Sequence, residues 1–417
     1  MATEDHDFEE INHVQLFGKK IEWKKENVEN AGKLASGKLN TASFNSVLDE
    51  LKIILGETEN AKELLNVFSD AYLNKKDLAA AMRLLAHTLF GPKGLVIIDA
   101  NDKRLKSQFV KVMEDDLFDH TPHKIVTAAT NKIEQFGYKT QVNAREINLF
   151  YLTETSRERI SLSPPSASLR TGSPSPKERG GEYRVLNTEI SFTADALKEE
   201  LKNNPEKFSP NVVLRPLYQQ TILPNVAYIG GPAEIAYWLQ YKAMFDHYKT
   251  VFPILMPRNS VMWLDEKTTK QLQSFGFAVA DIFKEENELI KMHLHSLGEN
   301  IPDLENEENE IRKIFTQVSI KAEQVDKTLK ALTEAELTKS LNALKTVSAK
   351  MLKAQKQKQE TSLNQIKKIK QKLFPEGKSQ ERYDNFIPFY IKHGRDFFKT
   401  LYQNLNPFEL EMTVINE

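Results

Sequence analysis

The chain has 417 residues, 40% hydrophobic and 28% charged, with 57 Lys and Arg against 58 Asp and Glu. That length allows two or three domains with a real core, and a net charge of −1 gives no global field for nucleic acid or an anionic membrane. Cysteine is absent, which excludes disulfides, thiolate metal sites and a cysteine nucleophile.

Residues 1–136 read as part of an α/β core. The start Met1-Ala-Thr-Glu-Asp-His-Asp is acidic and lacks the apolar stretch of a signal peptide, and no run is long enough to span a membrane. A cytoplasmic protein is expected, with no nucleic-acid or membrane partner. Glu4-Asp5-His6-Asp7 is the densest titratable cluster, with Asn12 and His13 one or two helical turns later. Such a cluster suits His6 as acid or base, or its carboxylates as ligands for a metal or an amine. A solvated acidic run would look the same. Helical spacing of apolar residues marks Ser43–Leu55 and, with interruptions, Thr58–Phe90. Leu95–Ile98 is a continuous apolar run ending at Asp99, the pattern of a strand buried on both faces.

Residues 137–208 read as a β-rich insertion, with strands expected at 138–142, 147–152, 183–186 and 189–192. Between them, residues 161–181 are rich in Ser, Pro and Gly and are expected to form a disordered loop at a hairpin tip. Residues 209–284 return to α/β. Val226–Ile229 is strand-like, Gly230-Gly231-Pro232 ends it, and a helix follows with Glu234 in its first turn. Strand, glycine turn and helix is how an open sheet builds a ligand site at its strand ends. An ordinary tight turn in a β-α unit would have the same sequence. Arg215, Asn225 and Tyr237 around it favour the ligand reading. Strands are also expected at 251–256 and 261–264.

From 285 to 374 apolar residues recur at helical spacing among Lys, Glu and Gln, and no proline or glycine falls between Pro302 and Pro375. A long antiparallel helical arm with coiled-coil spacing is expected, pairing with itself or with a second subunit. Thr333-Glu-Ala-Glu336 has the capping-box pattern, which places a helix start there and the reversal just before it. The aromatic-rich residues 375–417 are expected to return to the α/β body and end in a strand over 409–415.

Gly32-Lys-Leu-Ala-Ser-Gly-Lys-Leu39 nearly matches a phosphate-binding loop, but Leu39 stands where Ser or Thr must bind magnesium. His120-Thr-Pro-His123 and His293-Leu-His295 lack a third ligand, so no metal site is expected. Arg145 and Asn148 flank a strand-like run, and Arg258 sits in the turn Pro257-Arg-Asn-Ser260. With Arg215 they give three arginines beside structured turns. They could converge on a carboxylate or phosphate, or form surface ion pairs.

Five segments, taken together, resemble the cysteine-adding enzymes of bacillithiol biosynthesis, the BshC family. They are Glu4–His13, Phe90–Asp99, Gln141–Tyr151, Arg215–Trp238 and Pro257–Ser260. The resemblance implies a Rossmann-like parallel-sheet core, connecting-peptide insertions and a coiled-coil arm that makes a homodimer. It implies a ligase joining cysteine to glucosaminyl-malate, the last step in making bacillithiol, with activation by ATP or another nucleotide. By resemblance, Asp5, His6 and Asp7 serve chemistry or bind the cysteine amine. Arg145, Arg215 and Arg258 hold carboxylates or phosphates, helped by Asn12, His13, Asn148 and Tyr237. Gly230 and Gly231 let the backbone approach a ligand that Glu234 orients. Family members also carry a segment ahead of the Glu-Asp-His-Asp motif, so the chain reads as a form begun at an internal methionine. The alternative from another class is a non-catalytic coiled-coil scaffold with a degenerate α/β head.

Overall fold

The computed structural model describes residues 4–163, 182–297 and 304–417. The chain divides into two units, Met1–Asn259 with Asn385–Glu411, and Ser260–Asp384 with Met412–Glu417.

In the first unit the short helix Phe8–Ile11 leads into an antiparallel hairpin of β1 (His13–Leu16) and β2 (Lys19–Glu22). Its two-residue turn, Phe17-Gly18, has φ of 51° and 78°, the left-handed pair that matches strand twist and that glycine adopts most cheaply. Three helices follow: α1 (Asn45–Leu55), α2 (Glu59–Tyr72) and α3 (Leu78–Phe90). The interruptions expected from sequence are their caps. Thr58 Oγ1 accepts from Ala61 N at 3.2 Å, and Asp77 Oδ1 accepts from Ala80 N at 2.9 Å. Their apolar faces, Leu48, Leu51, Leu64 and Phe68, bury against Phe8, Leu16, Ile21 and Trp23. The helix Ile387–His393 adds Ile387 and Tyr390 to this cluster, so that stretch of the aromatic C-terminal segment packs in the first unit.

Leu95–Ile98 is not the doubly buried strand expected. Among the described residues it pairs with no strand, and Val96 is 79% exposed. An apolar run needs ladder partners as well as composition to become a strand.

A second cluster joins α4 (Val110–Phe118) and α5 (Thr121–Gln135) to a five-stranded antiparallel sheet. Its strands are β3 (Leu149–Leu152), β4 (Arg157–Ser163), β5 (Glu182–Val185), β6 (Ser191–Phe192) and β7 (Phe208–Pro210), in the order β6-β5-β4-β3-β7. Residues 161–163 of the expected loop lie in β4, and 164–181 fall outside the described residues. No strand forms at 138–142. There the backbone binds a side chain instead: Gln240 Oε1 accepts from Gln141 N and Val142 N, and its Nε2 donates to Val142 O at 2.7 Å. Helix α6 (Ala194–Asn203) inserts Leu197 and Leu201 into the same core.

The chain then runs through α7 (Arg215–Ile222), β8 (Ala227–Gly230), α8 (Pro232–Trp238), α9 (Lys242–His247) and β9 (Ile254–Pro257). β8 and β9 pair in parallel as a two-stranded sheet, with Ile229 and Ile254 exposed. Among the described residues, parallel pairing is confined to this sheet and one in the second unit, and the largest sheet is antiparallel.

In the second unit β10 (Ser260–Leu264) pairs in parallel with β11 (Met412–Asn416). The final strand thus joins this unit rather than the body that holds Asn385–Glu411. The helices are α10 (Glu266–Ser274), α11 (Glu286–Ser296), α12 (Glu305–Val325), α13 (Leu329–Lys358) and α14 (Glu360–Leu373). α12 and α13 pack on each other as the expected hairpin. The reversal, however, lies at Asp326–Thr328, where Asp326 Oδ1 accepts from Thr328 N at 2.8 Å. The Thr333–Glu336 pattern falls inside α13, because an earlier acceptor already closes the turn. Leu363, Ile366, Ile369 and Leu373 of α14 pack with Met262, Leu264, Leu289 and Leu294.

Candidate functional site

One cavity of about 1160 Å³ opens in the first unit. Its charged lining is Glu4, Asp5, Arg145, Arg157, Arg215 and Glu234, with Phe150, Tyr218, Tyr228 and Tyr237 supplying rings. The cavity therefore joins Glu4 and Asp5 of the N-terminal segment to the α7-β8-α8 turn.

The α7-β8-α8 wall is built around a glycine. A Cβ on Gly230 would sit 2.8 Å from the Tyr228 ring and 3.2 Å from Glu234 Cβ. Glycine lets those two side chains meet, and the Tyr228 hydroxyl donates to Glu234 Oε1 at 2.9 Å. Glu234 Oε2 accepts from Gly231 N at 2.8 Å, closing the first turn of α8. Burial alone would raise the Glu234 pKa, but these hydrogen bonds and the Arg215 and Arg258 charges hold it below the usual carboxylate value. Burial pushes the Tyr228 hydroxyl up to about 12. From α7, Arg215 Nη1 donates to Gln219 Oε1 at 2.9 Å, and Nη2 to the Tyr237 and Tyr228 hydroxyls at 3.2 and 3.5 Å.

Across the cavity the acidic segment is pinned by two cations that sequence reasoning missed. Lys106 is fully buried, donates to Glu4 at 2.9 Å and Phe208 O at 2.8 Å, and lies over the Tyr218 ring. Burial lowers its pKa, with Glu4 opposing. Arg157 pairs with Asp5 at 2.9 Å, donates to Ser209 Oγ at 3.2 Å, and stacks 3.8 Å above Phe150. Its backbone N donates to Lys33 O at 3.0 Å, which ties the Gly32–Leu39 segment to this wall. In sequence, Lys106 and Arg157 look like solvated charges in a short helix and a polar strand. Only the pairing of distant segments buries them.

The third wall is the Arg145 loop. Asn148 N and Nδ2 donate to the two Asp116 oxygens at 2.7 and 2.9 Å, and Nδ2 also reaches Arg145 O. Asn148 Oδ1 accepts from Arg145 N and from Asn211 Nδ2, at 3.1 Å each. Asn148 is thus a buried brace behind the cavity. Burial pushes the Asp116 pKa up to about 7 against the pull of the Asn148 hydrogen bonds. The Arg145 guanidinium has no ion-pair partner among the described residues.

Several expected site residues lie elsewhere. His6 is exposed and does not line the cavity; its ring stands edge-on to Phe150 at 6.4 Å. Asp7 Oδ1 is buried with no hydrogen-bond partner among the described residues, also outside the lining. Asn12 is turned inward, where its Nδ2 donates to Trp23 O at 3.2 Å and its Oδ1 meets His13 Nδ1 at 3.0 Å. Both follow a four-residue helix, Phe8–Ile11, that turns the chain away. Arg258 is exposed beside the wall, with its N donating to Gly230 O at 2.8 Å. Among the described residues no group of three or more His, Asp and Glu is placed to hold a metal ion.

Two family models match the chain: "Bacillithiol biosynthesis BshC, N-terminal Rossmann-like domain" over residues 1–259, and "Bacillithiol biosynthesis BshC, C-terminal coiled-coil domain" over 261–417. Their boundary falls where the first unit gives way to the second. Similar proteins from Christiangramia forsetii and Flavobacterium johnsoniae are each 38% identical over 415 residues, covering 100% of this chain and 74% of the relative. A protein from Salinibacter ruber is 31% identical over 401 residues, covering 94% and 70%. All three carry the name "Putative cysteine ligase BshC". The chain therefore belongs to the BshC family of bacillithiol biosynthesis.

Proposed function

We propose that this chain is a cysteine ligase that joins cysteine to glucosaminyl-malate, completing bacillithiol in the cytoplasm. The observation that carries the reading is the charge layout of the cavity: Arg145 and Arg215 on one set of walls, Asp5 and Glu4 on another. A substrate with two malyl carboxylates and an amine needs that combination. Amide formation joins the glucosamine nitrogen to the cysteine carboxyl carbon. A carboxyl oxygen leaves with the activating group, and the nitrogen loses a proton. Asp5, with its side chain 45% exposed and one oxygen on Arg157, holds an ammonium group in this scheme. Arg145 and Arg215 hold carboxylates, and the tyrosine rings limit water.

ATP is the activator implied by resemblance. The residues here do not single out a place for it. The Gly231 N–H at the glycine turn is taken by Glu234, and the Gly32–Leu39 segment forms a short 3₁₀ turn rather than a phosphate loop leading into a helix. Exposed Ile314, Val318 and Leu332 on the α12–α13 hairpin supply the apolar surface for a second copy, so a homodimer is part of the proposal.

The test is mass-spectrometric detection of bacillithiol from the purified chain with cysteine, glucosaminyl-malate and ATP. Arg215→Ala and Asp5→Asn are expected to lower product formation at least tenfold, and His6→Ala much less. No product from the wild type, or full activity in Arg215→Ala, would overturn the reading.

A further inference from the structure

The charges of the cavity are not equally available to a ligand. Glu4 is engaged by Lys106 and Asp5 by Arg157. Glu234 uses one oxygen for Tyr228 and the other for Gly231 N. Arg145 and Arg215 have no carboxylate at ion-pair distance among the described residues. Of these two, only Arg215 is fixed in place, by Gln219, Tyr228 and Tyr237.

A guanidinium carries donors only, so both tyrosine oxygens act as acceptors toward Arg215. Tyr228 gives its own proton to Glu234. Tyr237 has no acceptor for its proton among the described residues, and it lines the cavity. An uncommitted O–H thus stands within 3.2 Å of a guanidinium nitrogen that has no carboxylate at ion-pair distance among the described residues. Two donors on separate helices, held before any ligand arrives, make a directional anion contact at small ordering cost.

We propose that Arg215 and the Tyr237 hydroxyl form a two-donor clamp for one anionic oxygen group of the ligand, a carboxylate or a phosphoryl. The clamp rests on the reading of this cavity as the substrate site. Arg145, unpaired on the facing loop, supplies the second charge for a ligand with two anionic groups.

The test is calorimetric titration of the full chain with three probes: glucosaminyl-malate, its malyl dimethyl ester and inorganic phosphate. Tyr237→Phe removes one hydroxyl from a partly exposed ring, so the thermal midpoint should hold. It is expected to weaken binding of the clamped anion about tenfold, the size of one charge-assisted hydrogen bond. Arg215→Gln is expected to weaken it about a hundredfold. A Tyr237→Phe loss for glucosaminyl-malate, with no binding of the ester, assigns the clamp to a carboxylate. A loss confined to phosphate assigns it to a phosphoryl group. Equal affinity of Tyr237→Phe and wild type for both anions overturns the clamp. If glucosaminyl-malate does not bind the wild type at all, the substrate reading fails instead, and phosphate alone decides the clamp.

Discussion

Removing Glu4 should destabilise the first unit far more than its place near the chain start suggests. Lys106 is 0% exposed, and Glu4 is its one carboxylate at ion-pair distance among the described residues. Breaking a buried pair by deleting one member typically costs about 3–5 kcal/mol, because a charge is left in the interior. Here Lys106 would keep Phe208 O at 2.8 Å and the Tyr218 ring at 4.9 Å, so Glu4→Ala belongs near the lower end, about 3 kcal/mol. Lys106→Met should cost slightly less, since Glu4 retains some access to water. The double variant leaves no buried charge and should cost only about 1–2 kcal/mol, giving a coupling of roughly 4 kcal/mol. Urea unfolding followed by tryptophan fluorescence measures all three corners. The pH dependence has a definite sign. Burial lowers the folded pKa of Lys106 below 10.5, so its contribution favours folding at high pH and is lost as pH falls through the folded value. Lys106→Met should flatten that slope. A Glu4→Ala cost under about 0.5 kcal/mol, or no coupling, would refute the buried-pair account.

Other outcomes follow from the same geometry. Gly230→Ala should force the Tyr228 ring off Glu234 and cost about 1–3 kcal/mol by overpacking, with loss of ligand binding measured by calorimetry. Asp116, raised to about 7, binds its proton more tightly folded than unfolded. It therefore favours the fold at acid pH, and that contribution, of order 1–3 kcal/mol, should disappear between about pH 4 and 7 in urea titrations and be absent in Asp116→Asn. In the second unit, His293 is 5% exposed, both ring nitrogens lack hydrogen-bond partners among the described residues, and Phe275 lies 5.0 Å away. His293→Leu should stabilise that unit by about 1–3 kcal/mol. Burial lowers the His293 pKa, so the wild type alone should lose stability as pH falls below 6.5.

Local signals were readable where neighbours in sequence do the work. The interrupted helical spacing of Thr58–Phe90, the Gly230-Gly231-Pro232 turn and the helical spacing of residues 285–374 all act within one or two turns of chain. The misreadings share a different cause. Leu95–Ile98 has the composition of a buried strand but no partner among the described residues, and residues 138–142 gave up a strand for the Gln240 amide about a hundred residues away. The same holds for the cavity. Arg215, Glu234 and Tyr237 lie in one segment and were found together. Lys106 and Arg157 are solvated charges in any local window and acquire roles only when Glu4 and Asp5 are folded onto them. His6 drew attention as the only histidine in an acidic cluster, but the cluster's contacts with the cavity run through its carboxylates.

The β8–β9 pair has a consequence for how any ligand acts on this fold. It carries Tyr228 and Gly230, on which the Arg215 geometry depends, yet it consists of two short strands with Ile229 and Ile254 in solvent. A two-stranded pair is marginal on its own, and this one is anchored to the core chiefly by the Tyr228 ring stacked on Trp238. A ligand that bridges the Arg215 wall to the Arg145 loop would fasten this pair to the braced side of the unit. Occupancy and local order then become one equilibrium, and the measured affinity is the intrinsic contact strength reduced by whatever fraction of molecules has the wall out of place.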